Sequence, residues 1–344
     1  MAASPYTDQG RPRHSIVTRG NRRVVLGITL VVVVALVVVS LFVGGYDITV
    51  SQLLHNPEAR EMFFISRVPR TLAIIFAAVA MSVSGVIMQL ITQNRFVEPT
   101  TAGTSQWAGL GVLVALLFVP GATPLFKMII ATAFAFCGTL VFIFLLRRVA
   151  AKGVGQGSIL IPLVGIMLGA VVGAAMTFIA SETQLLQSMS AWSSGGFSGV
   201  VRGFYEPLWA VVVIAVLAYI LANRFTAAGL GKALSTNLGM NYELTVLIGV
   251  SMVALATGVT SVVVGFIPFL GLIVPNAVSV VLGDDMRRNL PWVAVVSIGL
   301  MLVCDLIGRV VVAPMEIPVS VILGAVGAVL FIALVLRQRK YLSA

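Results

Sequence analysis

Residues 244–283 read LTVLIGVSMVALATGVTSVVVGFIPFLGLIVPNAVSVVLG and carry no charged side chain. One membrane-crossing helix needs about 20 predominantly apolar residues. The run is about twice that length, and Gly265, Pro268, Gly271 and Pro275 punctuate its second half. It predicts two membrane helices joined by a tight Gly/Pro-bearing turn rather than one overlong helix, and with them an all-α, polytopic transmembrane bundle.

The rest of the chain agrees. Hydrophobic residues make up 59% of the 344 and charged residues 10%, against about 25% charged in an average soluble domain. So few charges cannot cover a water-soluble fold of this size. Apolar windows fall near 24–43, 71–91, 103–119, 127–146, 158–180, 207–222, 244–264, 266–282, 291–312 and 317–336, which predicts ten helices. The first exceeds the roughly 7–15 residues of a signal-peptide core and reads as a retained anchor. The expected organisation is a disordered tail over 1–23, a ten-helix domain over 24–338 and a second tail over 339–344.

Charge sets the expected orientation, because basic loops stay in the cytoplasm. With both termini inside, the outer side keeps Arg60, Arg67, Arg70, Lys127, Arg202 and Arg309, and the other sixteen of the 22 basic residues lie inside. The net charge of +10 is then a topology signal. Basic residues scattered over short loops argue against a nucleic-acid partner.

No Walker-type loop, zinc signature or nucleophile elbow occurs, so no catalytic, cofactor or metal residue is assigned. Cys137 and Cys304 lie in separate windows without metal-type spacing and read as small buried apolar residues. His14 and His55 have no ligand-spaced partner. Asp305 stands out as an acid well inside a window, and Arg309 follows at i+4, on the same helix face. A chain with membrane spans but no ion relay points to energy supplied by a partner, with an ion-coupled secondary transporter as the alternative.

Several spaced segments carry a resemblance. RVPRTLA (67–73), SGVIMQLITQNRFVEPTTAG (84–103), GFIPFLGLIVPN (265–276), GDDMRRNLP (283–291), CDLIGR (304–309) and EIPVSVILG (316–324) resemble the iron-siderophore and vitamin B12 (FecCD-type) permease family of ABC importers. LGKALSTNLGM (230–240) looks like that family's cytoplasmic coupling segment. Many members have a histidine where this chain has Asn276, and NPLAxP where it has NRFVEP. The combination resembles the branch for ferric catecholate or mixed-ligand siderophores of the petrobactin, anguibactin and enterobactin kind, with haem or vitamin B12 as alternative cargo.

The resemblance implies a non-enzymatic transport subunit with three kinds of partner: separate ATPase subunits, an extracytoplasmic siderophore-binding protein, and a second permease, with a heterodimer favoured over a homodimer. It places Arg67, Arg70 and Arg309 where the binding protein's carboxylates dock. The residues alone also allow snorkelling for Arg67 and Arg70 and a structural pair with Asp305 for Arg309. In the inner segment 224–242, Leu230, Gly231, Leu234, Leu238 and Gly239 combine apolar spacing with glycine hinges and suit docking into an ATPase groove. An amphipathic helix on the lipid surface is the alternative. Gly165, Gly169 and Gly173 recur every four residues and read as helix packing within or between subunits. The stretch 187–203, containing WSSGGFSG (192–199), reads as a tight outer turn where no helix starts. The segments 84–103 and 258–283 each run an apolar span into a Pro-bearing turn, which hints at an inverted repeat.

Overall fold

The computed structural model describes residues 19–44, 50–150, 160–283, 285–312 and 315–342. Residues 1–18 and 343–344 of the two expected tails lie outside the described residues. The helices are α1 (Arg19–Phe42), α2 (Val50–His55), α3 (Pro57–Met62), α4 (Val68–Ile91), α5 (Thr104–Phe118), α6 (Pro124–Ala150), α7 (Leu160–Glu182), α8 (Leu186–Ser194), α9 (Ala210–Ile220), α10 (Ala222–Ala228), α11 (Lys232–Asn237), α12 (Tyr242–Val263), α13 (Leu270–Leu282), α14 (Met286–Val310) and α15 (Val319–Leu342). The protein is a multi-pass membrane protein, all-helical among the described residues.

Each of the ten apolar windows holds a helix, but the helices are not equally long. Six are long and apolar enough to cross a membrane, or seven if Glu206–Ile220 and α10, bent by 64° at Leu221, count as one broken span. Of the remaining three, α5 and α13 are shorter apolar helices, whereas α15 runs 24 residues, from Val319 to Leu342. At about 1.5 Å per residue, α13 reaches only about 20 Å, less than a bilayer core of about 30 Å. The run 244–283 is therefore one full span and one short helix, separated by six non-helical residues. Helix also extends into both expected tails, since α1 starts at Arg19 and α15 ends at Leu342.

The bundle is built around α4. A π-type turn at Phe63–Arg67 joins α3 to α4 in one helical rod from Pro57 to Ile91, most of it buried. Small residues let neighbours close on it. A methyl group at Gly85 would stand 2.0 Å from the carbonyl oxygen of Gly271 on α13, and one at Gly249 of α12 would stand 2.4 Å from Ile91 Cδ1. In lipid, where apolar surface gains little from hiding, close backbone approach of this kind supplies the packing energy. The helix α1 lies at the periphery with most of its residues exposed, which suits a lipid-facing anchor.

Two expectations are corrected. α8 fills Leu186–Ser194, where no helix was expected. Its Met189 is buried, and Met189 and Trp192, three residues apart, pack with Val112, Leu113 and Met176; helical spacing of anchors outweighs the polar composition. Cys304 is buried, but Cys137 is exposed on α6.

Candidate functional site

Chemistry-bearing side chains gather at two opposite ends of the bundle. At one end, Asp305 on α14 is fully buried and shared by two arginines. Arg70 on α4 donates to its Oδ1 from Nε (3.3 Å) and Nη2 (2.8 Å), and Arg309 Nη2 donates to its Oδ2. The remaining Arg70 nitrogen, Nη1, reaches both oxygens of Glu316, at 2.9 and 2.8 Å. Arg309 Nη1 donates to the backbone oxygens of Ser40 (2.9 Å) and Val43 (2.8 Å) at the end of α1, and Arg67 Nη1 donates to Val43 O at 2.8 Å. A methyl at Gly44 would stand 1.4 Å from Arg67 Nη1, so a larger residue there would have to displace the guanidinium. The cluster ties the ends of α1, α4 and α14 to the segment before α15.

Beside it lies a cleft of about 380 Å³, lined by Arg70, Glu316, Trp192, Gly195, Ser198 and Gly265 among others. Its wall is a close crossing of two non-helical segments. Methyl groups at Gly195 and Gly265 would stand 1.9 Å from Phe266 O and 2.3 Å from Trp192 O. Gly196 N donates to Val264 O at 2.9 Å, and Trp192 Nε1 to Ser261 O at 2.8 Å.

At the other end, α10 and α11 form a bent pair. Ala222, Phe225 and Ala228 are buried, and Gly231 turns the chain at φ +99°. Leu230, Leu234 and Leu238 are 58%, 56% and 68% exposed. Leu234, on α11, and Leu238, at its C-terminal end, are one helical turn apart, and Leu230 lies before the turn at Gly231; together the three make an exposed apolar ridge. Glu243 braces the pair, accepting from Lys232 Nζ (2.8 Å) and Arg147 Nη2 (2.7 Å). A polar cleft of about 420 Å³ lies behind, lined by Gln89, Gln93, Arg95, Asn276, Ser279 and Asn289 among others.

Between the two ends sits an acid that the sequence reading passed over. Glu98, in the turn between α4 and α5, is fully buried. Its Oε1 accepts from Phe269 N at 2.8 Å and from Thr100 Oγ1. Phe269 is the residue before α13 and is left-handed at φ +63°, so Glu98 caps α13 from 171 residues away in sequence. A carboxylate at a helix N-terminus meets unpaired N–H groups and the positive end of the dipole. The available signal was an acid between Pro99 and the polar NR pair, in a break between two apolar windows.

The family model for the FecCD transport family matches residues 31–337. The chain belongs to the FecCD transport family. It is similar to the petrobactin import system permease protein FatD of Bacillus anthracis, at 47% identity over 313 residues and 91% of each chain. It is similar to the ferric-anguibactin transport system permease protein FatD of Vibrio anguillarum, at 39% identity over 88% of this chain and 95% of that one. Among solved structures, an inward-facing conformation of a metal-chelate type ABC transporter shares the fold, with a TM-score of 0.76 and 23% identity over 92% of this chain and 99% of that chain.

In this FecCD chain Arg67, Arg70 and Arg309, expected as docking charges on the outer face, come together in a buried cluster. Each is less than 10% exposed. The pairing of Arg309 with Asp305 is present, and Arg70 joins the same acid. Gly165 and Gly169 pack within the chain against the turn before α5 and its first helical turn: a methyl at Gly165 would stand 2.2 Å from Thr101 O, and one at Gly169 3.2 Å from Gln106 Cδ. Gly173 meets nothing within 4 Å and takes no part in that contact.

Proposed function

We propose that this chain is the permease subunit of an ABC importer that carries a ferric siderophore of the catecholate or mixed-ligand kind into the cytoplasm. The observation that carries the reading is the 47% identity, over 91% of both chains, to a petrobactin permease. In this reading the end bearing α11 faces the cytoplasm, as do both termini. The ridge of Leu230, Leu234 and Leu238 enters a groove of an ATPase subunit, with Gly231 and Gly239 setting the angle of approach. An exposed apolar ridge beside a glycine hinge, with Arg224 and Lys232 its nearby basic residues, fits a protein groove better than an anionic lipid surface.

The opposite end receives the siderophore-binding protein. Glu316, partly exposed, is the partner on Arg70 that an incoming carboxylate can replace. A second permease, a different one as in the branch this chain resembles, completes the pathway, since a cleft of about 380 Å³ is too small for a complete route.

The deciding experiment is uptake of radiolabelled ferric siderophores by a deletion strain with and without this chain. Restored uptake of ferric petrobactin or a related chelate is expected. Restoration of vitamin B12 or haem uptake alone would overturn the reading.

A further inference from the structure

Ten residues, 89–98, touch both the hinge of the bent pair α10–α11 and successive turns of α13. On the hinge side, Leu90 and Gln93 sit against two glycines. A methyl at Gly229 would stand 2.9 Å from Leu90 Cδ2, and one at Gly231 would stand 2.8 Å from Gln93 Nε2. Gln93 itself is left-handed at φ +51°, a conformation that costs a non-glycine residue energy and persists only where surroundings enforce it. On the α13 side, Gln89 Nε2 donates to Gly271 O at 3.2 Å, Asn276 Nδ2 donates to Arg95 O at 2.8 Å, and Arg95 Nη1 donates to Ser279 Oγ at 3.2 Å. Glu98 holds the first residue before α13.

The segment is braced from within. Asn94 N donates to Gln89 O (3.0 Å), Phe96 N to Asn94 Oδ1 (2.9 Å) and Glu98 N to Thr101 Oγ1 (2.9 Å). A short element whose polar groups are bonded to one another moves as a body rather than deforming, and packed elements shift between discrete arrangements. α13 in turn begins two residues after Pro268, and the chain before it, at Val264 and Gly265, lines the cleft at the far end. A push at Gly229–Gly231 thus has a contiguous bonded route to the wall of that cleft.

We propose that residues 89–98 transmit movement of the α10–α11 hinge to α13, with Gln93 the positioning residue at the input and Asn276 and Glu98 those at the output. The proposal rests on the reading that the leucine ridge docks an ATPase. Contact alone does not establish coupling, so the test measures coupling itself, in the complete transporter reconstituted in proteoliposomes with its ATPase, second permease and binding protein.

Gln93→Gly deletes the carboxamide while tolerating positive φ, so folding is not at stake. The ATPase should stay bound at the wild-type ratio while cargo moved per ATP hydrolysed falls about fivefold or more, the lower end of typical inter-site coupling. Asn276→Leu, similar in volume but unable to bond Arg95 O, should give the same split. Because the two contacts act in series, the double variant should fall no further than the more severe single variant. An unchanged transport-to-ATP ratio in Gln93→Gly, or losses that multiply in the double variant, would overturn the relay. Leu234→Asp tests the underlying reading separately: it should release the ATPase, and an ATPase that stays bound would reject the docking ridge without bearing on the residue-93 result.

Discussion

Asp305 is the residue on which the arginine end depends. It is fully buried and accepts hydrogen bonds from two guanidinium groups, those of Arg70 and Arg309. Removing one partner from a buried ionic group typically costs about 3–5 kcal/mol. Asp305→Asn is therefore expected to lower stability by about that amount, read by thermal unfolding in detergent; a loss under about 1 kcal/mol would show that Arg70 and Arg309 have found other neutralising partners. Glu316 differs, because it is partly exposed and shares only Arg70. If a binding protein's carboxylate takes its place, Glu316→Gln removes a competitor and binding-protein affinity should rise. Equal or weaker binding would take Arg70 out of the docking surface. Raising salt should affect this end less than a rim of free charges, since buried pairs are screened much less than exposed ones.

Among the elements, α4 and α13 cross closely, and glycine makes it possible. Gly85→Ala places a methyl 2.0 Å from Gly271 O, which a rigid backbone cannot accommodate. Overpacking of this kind typically costs about 1–3 kcal/mol, and the expected result is a lower melting temperature with reduced transport. Gly173→Ala is the contrasting variant. Its methyl meets nothing within 4 Å, and alanine is the better helix former by about 0.8–1.0 kcal/mol in peptide hosts, so the stability of the single chain should not fall. Equal damage from both variants would mean that the helix, not the crossing, is what glycine serves. α5 and α13 share a further feature. Both are short, and both begin after a residue with positive φ, Gly103 at +81° and Phe269 at +63°. Each starts inside the protein rather than at its surface, where Glu98 and the surrounding turn meet the exposed ends of the backbone.

For the whole molecule, the 16-to-6 division of basic residues predicts that both termini lie on one side of the membrane and the α2–α3 connection on the other. Single cysteines at Gln338 and His55, introduced into a chain lacking Cys137 and Cys304, should label from opposite faces with an impermeant reagent. Labelling of both from the same face would reject the orientation, and with it the assignment of the leucine ridge to the cytoplasm.

The sequence by itself determined the helical membrane class, the positions of ten apolar helices and the family, because these depend on hydrophobicity along the chain and on motifs a few residues long. It also marked the residues at both ends: the RVPR and CDLIGR arginines, and the leucines between glycines at 230–239. Only the tertiary structure decided that α5 and α13 are short, since helix length depends on where distant groups such as Glu98 take over the backbone ends. It decided that α8 is a helix, because Met189 and Trp192 find partners on α5 and α7 that local composition does not reveal. It joined Arg70 to Asp305 across 235 positions and Glu316 across 246, turning three expected surface charges into one buried network. Local patterns in a chain encode what each segment can become. Which acid meets which base is settled only when helices far apart in sequence close on one another and exclude water.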